Sequence, residues 1–230
     1  MCVQIYIAIA RGGVNPQHCL LLPASHQPNL GFCPLPVVEE CDRLMDVMRE
    51  VNYEQGLGTL FFERYVPMKQ TRTMHTQVHA VGFPGHLTSA LVESMLYRTV
   101  RDSGSVLVWE QHDYTLSLPH VMGVLANWQP DQMGRQPEHK FAHSSYWWIT
   151  ICGTQGQPSC TLIGVTQSPV GVNLNLAREV LAHTLNLPDR VQWKNCVTPP
   201  NQETEAALHL KQLLSNSLRR LQQSTEDPTR

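Results

Sequence analysis

The chain has 230 residues, 42% of them hydrophobic, with 14 glycines and 16 prolines scattered rather than periodic. That excludes a collagen-like or wholly disordered polymer and leaves room for one large domain or two small ones. Charged residues are only 16% and the formal net charge is −2, so an RNA contact would need a local patch or a partner rather than bulk attraction. No apolar run approaches the ~20 residues of a bilayer span. The opening stretch 3–10 lacks the basic leader of a signal peptide, so the chain is expected to be soluble, free of membrane contact and not secreted by this route. The seven cysteines (Cys2, Cys19, Cys33, Cys41, Cys152, Cys160 and Cys196) are odd in number and form no C-x-x-C pair. Free thiols in a reducing compartment, several of them small core residues, are the expectation.

In chain order, the β-branched and aromatic run 3–9 predicts a strand, stopped by Arg11-Gly12-Gly13, and His18-Cys19-Leu20-Leu21-Leu22 a short buried strand stopped by Pro23. Apolar residues at Val37, Val38, Cys41, Leu44, Met45, Met48 and Val51 predict an amphipathic helix over 37–51, led in by Pro34 and Pro36. A strand at Leu60-Phe61-Phe62, another starting near Thr73 and a helix over 87–101 complete the first block. The period dissolves over 102–143, which reads as a linker or long insertion, partly disordered. Order resumes with the aromatic strand 145–151 and a hairpin partner at 160–165. Helices follow at 175–187 and 202–221, with a polar, frayed end after residue 222.

The densest chemical signal is Thr73-Met74-His75-Thr76-Gln77-Val78-His79. On a strand Thr73, His75, Gln77 and His79 would share one face, successive members roughly 6–7 Å apart. With His75 as nucleophile and Gln77 as a neutral donor to a phosphoryl oxygen, such a row suits nucleotidyl transfer through a phosphohistidine-type intermediate. The same alternation also fits a half-exposed strand with its polar side outward. A zinc site from His18, His75 and His79 is the weaker alternative, since His-x-x-x-His on a strand has no zinc spacing. No metal and no cofactor is therefore expected.

Upstream, Pro16-Gln17-His18-Cys19-Leu20-Leu21-Leu22-Pro23 and then His26 resemble the first histidine strand of the histidine-triad (HIT) superfamily. More closely, these residues with Leu60-Phe61-Phe62-Glu63-Arg64 and Met74-His75-Thr76-Gln77-Val78 resemble the first conserved domain of the CwfJ family, the lariat-debranching-associated and spliceosome-associated proteins. Ala177-Arg178-Glu179-Val180-Leu181 and Leu187-Pro188-Asp189-Arg190-Val191-Gln192-Trp193-Lys194 resemble that family's second. The resemblance implies an α+β protein. A HIT-like antiparallel sheet with helices spans 1–103, a linker or insertion 104–143, a smaller α+β domain 144–222 and a polar tail 223–230. It implies a nuclear accessory factor of splicing or intron-lariat turnover, with spliceosomal or debranching proteins as partners and RNA contact weak alone. The alternative it carries is a HIT-type nucleotidyl hydrolase or transferase.

Residue by residue, His75 matches the nucleophile of active HIT proteins, Gln77 the third triad position, His18 the upstream supporting histidine and His26 the lesser histidine after the strand. Thr73 stands where the pattern has its first histidine, and threonine carries no positive charge at neutral pH. Catalysis is therefore expected to be lost or weak, with His18, His26, Thr73, His75 and Gln77 left as phosphate or RNA-backbone contacts. Tyr65 replaces the family's asparagine after Glu63-Arg64, His79, Ala80 and Gly82 replace a Val-Pro-Val-Pro ending, and Val172-Asn173 replaces Phe-Pro before the helix. Trp147 and Trp148 are read as packing across the domain junction, and Tyr146 with them as an interface anchor wherever exposed. Arg178, Glu179, Asp189, Arg190 and Lys194 are read as ion pairs fixing a helix-to-loop corner, or else Arg190 and Lys194 as part of a backbone-binding patch. Arg219-Arg220 suit the negative end of the last helix.

Overall fold

A computed structural model describes residues 4–67, 75–87, 89–102, 106–112, 114–127, 145–154, 157–166 and 175–226. The chain is α+β as expected. Seven strands form one antiparallel sheet in the order β1-β2-β4-β3-β6-β7-β5. They are β1 Ile5–Ile9, β2 Cys19–Pro23, β3 Leu57–Tyr65, β4 Val78–Pro84, β5 Val106–His112, β6 Ser145–Cys152 and β7 Cys160–Thr166. Five α-helices accompany them: α1 Leu35–Glu54, α2 Ser89–Asp102, α3 Leu118–Asn127, α4 Leu176–Thr184 and α5 Pro200–Glu226. Strands from both motif blocks share the sheet, because β3 pairs with β4 on one side and with β6 on the other. Among the described residues no helix is long and apolar enough to cross a membrane.

The alternation of each strand splits the core into two layers. Phe61, Tyr65, Val78, Ala80, Tyr146 and Trp148 face one side and pack with Val38, Met45 and Met48 of α1, Leu118 and Val121 of α3 and Leu210 and Leu214 of α5. Leu60, Phe62, Val81, Phe83, Trp147 and Ile149 face the other, against Val92 and Leu96 of α2 and Val180 and Leu181 of α4. Trp147 and Trp148 are thus both buried, on opposite faces, and Tyr146 is buried beside Trp148. The three aromatics therefore pack the sheet where the blocks join and offer no surface anchor. Cys19, Cys41, Cys152, Cys160 and Cys196 are buried, where thiols act as small hydrophobes.

Local chemistry sets the helix ends. Pro34 precedes α1 and Pro36 sits in its first turn, where a missing N–H costs nothing. α4 closes in a Schellman motif: Asn186 adopts φ 56°, its N–H reaches the His183 carbonyl at 3.0 Å, and the Leu187 N–H reaches the Ala182 carbonyl at 2.7 Å. At the far end of the chain Arg220 pairs with Glu54, so α5 is tied to α1.

Two elements lie inside the segment read as a linker. β5 is an edge strand whose register against β7 shifts between Leu107 and Trp109, and a bulge of this kind breaks the period-two signal that would have announced it. α3 buries Leu118, Val121, Met122 and Leu125 and anchors its first amide on Asp42 of α1, Leu118 N–H to Oδ1 at 2.9 Å.

Close packing of Trp147 depends on Gly164, its cross-strand partner on β7. A Cβ at position 164 would overlap the buried Trp147 ring. Gly164→Ala is expected to cost about 1–3 kcal/mol, the range for overpacking a core, and to lower the thermal midpoint by several degrees. A variant as stable as the parent in a thermal melt would show that the ring is not seated over β7.

Candidate functional site: two histidine pairs and a buried carboxylate

The histidine row lies at the start of β4. Regular pairing begins only at Val78, so His75, Thr76 and Gln77 precede the strand rather than sit within it. The alternation nevertheless runs through: Thr76, Val78 and Ala80 are buried, His75 and His79 are half-buried and Gln77 is exposed. The segment is held by the stretch after β2, with Thr76 N–H donating to the Gln27 carbonyl at 2.7 Å. Thr73 falls outside the described residues.

Four histidines come together as two separate pairs. His75 Nε2 lies 3.0 Å from the Pro23 carbonyl, which can only accept, so the proton of the neutral ring is on Nε2 and the lone pair on Nδ1. His26, exposed, meets His75 edge-on with ring centroids 5.0 Å apart. His18, by contrast, is buried just ahead of β2. Its Nδ1 accepts the Val14 N–H at 3.0 Å, and its Nε2 stands 2.9 Å from His79 Nδ1. Since the Val14 amide can only donate, His18 carries its proton on Nε2 and gives it to His79 Nδ1, which places the His79 proton on Nε2. His79 in turn stacks on Phe62, centroids 4.2 Å apart and planes within 9°.

Electrostatics keeps this second pair neutral. Burial, then the neighbouring His79 and Arg178, holds His18 well below the ordinary histidine range. Burial, then Arg64 and Arg178, pushes His79 down to about 3. Neither can serve as a cation at neutral pH. His18 is thus not beside His75 as a supporting group; it is spent on His79. A three-histidine metal site fails on the same geometry, and among the described residues no cluster of three or more His, Cys, Asp or Glu side chains could hold a metal ion.

On the other face of β3 from Phe62 and its stacked His79 sits a buried carboxylate. Glu63 of β3 is 1% exposed and accepts four hydrogen bonds. Its Oε1 takes the Leu30 N–H at 2.9 Å and the Thr76 hydroxyl. Its Oε2 takes the Tyr146 hydroxyl at 2.9 Å and the Trp148 indole N–H at 3.1 Å. Burial raises its carboxyl above the ordinary glutamate range, and the four bonds, Thr76's first, pull it back. The carboxylate fastens β3 and β6 to both stretches that carry the His26–His75 pair.

The Arg178 corner is fixed by carbonyls, not by carboxylates. Arg178 Nε donates to the Arg190 and Val191 carbonyls at 2.7 and 2.9 Å, and a terminal nitrogen donates to the Gly12 carbonyl at 2.8 Å. Arg190 reaches the Val14 carbonyl at 2.9 Å. Glu179 lies 3.9 Å from His183. Arg190 is thus engaged in the structure, and the loop it holds is the one whose Val14 amide sets the His18 tautomer. Gly12 in that loop has φ 65°, and a Cβ there would run into the Trp193 carbonyl.

Comparison with known proteins bears on this arrangement. Residues 1–96 match the family model described as protein similar to CwfJ C-terminal. CWF19-like protein 1 of Mus musculus is 23% identical over 204 residues, covering 88% of this chain and 32% of that protein. Zinc finger CCCH domain-containing protein 64 of Arabidopsis thaliana is 24% identical over 210 residues, 90% of this chain and 31% of that protein. The chain is thus similar to the CwfJ C-terminal model over residues 1–96 and to these relatives over most of its length. It spans about a third of the length of the curated relatives it matches. Within the CwfJ-matching region lie His18, His26, Glu63, His75, Gln77 and His79, so both histidine pairs and the buried carboxylate belong to it.

Proposed function

We propose that this chain is a CwfJ-like accessory factor of splicing or intron-lariat turnover, acting in the nucleus through protein contacts with the debranching or spliceosome-disassembly machinery. Similarity to the CwfJ C-terminal model and to the CWF19-like relatives supports the setting, and one observation carries the non-catalytic reading. The histidine that would support a nucleophile is neutral, buried and bonded to His79 instead of to His75. In this reading residues 1–103 are a HIT-like block and 144–222 the second conserved block, joined by an insertion at 104–143 that includes β5 and α3. His26, Thr73, His75 and Gln77 add a local phosphate contact once a complex has formed; His18, the fifth candidate, is held by Val14 and His79.

With a net charge of −2, the free chain is expected to bind RNA weakly, because affinity for a phosphate backbone grows with the number of charges neutralised. The test is association of the wild type and a His26→Ala/His75→Ala double variant with spliceosomal particles, beside RNA binding by the purified chain at physiological salt. Association of the wild type with those particles, and weak RNA binding by both proteins, is the expected result. Strong, salt-sensitive RNA binding abolished by the double substitution would make this an RNA-binding protein in its own right.

A second reading has one observation in its favour. With Nε2 bound to Pro23, the His75 lone pair on Nδ1 has no hydrogen-bond partner among the described residues, as attack on a nucleotidyl phosphorus requires. A phosphorus–nitrogen bond would form as the bond to the leaving oxygen breaks. Incubation with labelled adenylylated or diadenosine substrates distinguishes the two. Label on histidine in the wild type and none in His75→Ala would promote the enzyme.

A further inference from the structure

Glu63 stands on the opposite face of β3 from Phe62. Two of its four bonds reach the segments that carry the His26–His75 pair. The Thr76 hydroxyl follows His75 by one residue, and the Leu30 amide opens the 3-10 turn Leu30–Phe32, four residues after His26. The same two stretches are joined by Thr76 N–H to Gln27 and by His75 Nε2 to Pro23. A carboxylate that accepts from both stretches at one oxygen fixes their separation, because Oε1 is a single point shared by two donors. Oε2 is held in turn by Tyr146 and Trp148 on the buried strand β6, so that point is referenced to the rigid sheet.

We propose that Glu63 is the positioning residue of the His26–His75 pair: through Thr76 and the Leu30 amide it sets the register of the two stretches, and so the hydrogen bond from His75 Nε2 to Pro23 that leaves the lone pair on Nδ1. The inference rests on reading the His75 face as the functional site. It adds a buried group, distant from any ligand, that decides which imidazole nitrogen that site presents.

The test is the tautomer of His75 in the folded protein, read from its two ring nitrogen chemical shifts by long-range nitrogen–proton correlation. The wild type is expected to show one tautomer, with the proton on Nε2. Thr76→Val removes the hydroxyl at constant shape and is expected to give an averaged mixture, its bias toward Nε2–H reduced several-fold. Thr76→Ser restores the donor and is expected to restore the single tautomer. Tyr146→Phe removes a donor to Oε2 without touching either stretch and is expected to leave His75 unchanged. His18 and His79, fixed by the Val14 amide, serve as internal controls and should keep their shifts throughout. Should the valine variant not fold, Thr76→Ala takes its place.

An unchanged His75 tautomer in the folded Thr76 variant overturns the proposal. So does a Tyr146→Phe protein perturbed at His75 as much as the Thr76 variant, since Glu63 would then be general core adhesive. The readout is made on the free chain, so failure of the splicing reading in the particle-association experiment leaves it untouched, and the reverse also holds.

Discussion

Glu63→Ala is expected to lower the stability of the chain at neutral pH by at least about 3 kcal/mol. The substitution leaves the Leu30 amide, the Thr76 and Tyr146 hydroxyls and the Trp148 indole N–H without their acceptor, and an unsatisfied buried donor costs about 1–3 kcal/mol. Water entering the cavity recovers part of the loss, which is why the four costs do not simply add. Urea unfolding monitored by tryptophan fluorescence measures it, and a loss below about 1 kcal/mol would show that the four bonds stabilise nothing net. The pH dependence has a definite sign. Burial raises the folded-state carboxyl above the ordinary glutamate value, so between those two values the folded chain holds a proton that the unfolded chain has released. Stability from this group is therefore full below the ordinary value and falls as pH rises through the raised one. Glu63→Gln, which does not titrate, should lack that slope.

The buried histidine pair carries a dependence of opposite sign. His79 is pushed down to about 3 and His18 is also held low, whereas in the unfolded chain both take up protons near the ordinary histidine value of about 6.5. Over that window the unfolded state binds more protons, so the pair's contribution is fully present above about pH 6.5 and is lost as pH falls toward 3. At about 1.4 kcal/mol per unit, His79 alone accounts for a loss on the order of 5 kcal/mol. His79→Gln, uncharged at every pH, should flatten the acid limb of the stability curve. Equal pH dependence of variant and wild type, from urea midpoints at pH 7 and pH 4, would contradict a neutral buried pair. The two windows overlap just above the ordinary glutamate value, so each slope is read from its own variant rather than from the wild type.

Much of the fold is written in local pattern. The three- and four-residue spacing from Val37 to Val51 and the aromatic run before Cys152 each announced their element, since periodicity survives wherever one face is buried. β5 escaped because its bulge breaks the alternation, and α3 because ten residues give the helical period little length to show. At the site, the alternation of Thr76, Val78 and Ala80 was readable. The start of β4 was not. β2 ends at Pro23, which has no N–H to extend a ladder, so the residues opposite are held by Gln27 and by a side chain. The pairing of His18 with His79 was also hidden, since it depends on where the loop through Val14 puts its amide. Glu63 did leave a trace: it shares strand parity with Phe61 and Tyr65, and a carboxylate on the inward face between two aromatics has to be answered by buried donors.

The position of β3 in the middle of the sheet has a consequence for synthesis. Its neighbour β4 follows closely in the chain, but its other neighbour β6 brings Tyr146 and Trp148 to Glu63 from 83 and 85 residues away. A nascent chain that has left the ribosome only as far as α2 therefore holds β3 as an open edge, its outward amides and carbonyls unpaired and half of the Glu63 acceptors waiting. Closing so long a loop adds only modest entropy, yet pairings this remote in sequence are the slow ones to form. Synthesis of β6, well past the midpoint of the chain, is thus the step that covers β3, and the interval before it is when the unfinished strand is open to a chaperone or to another copy of itself.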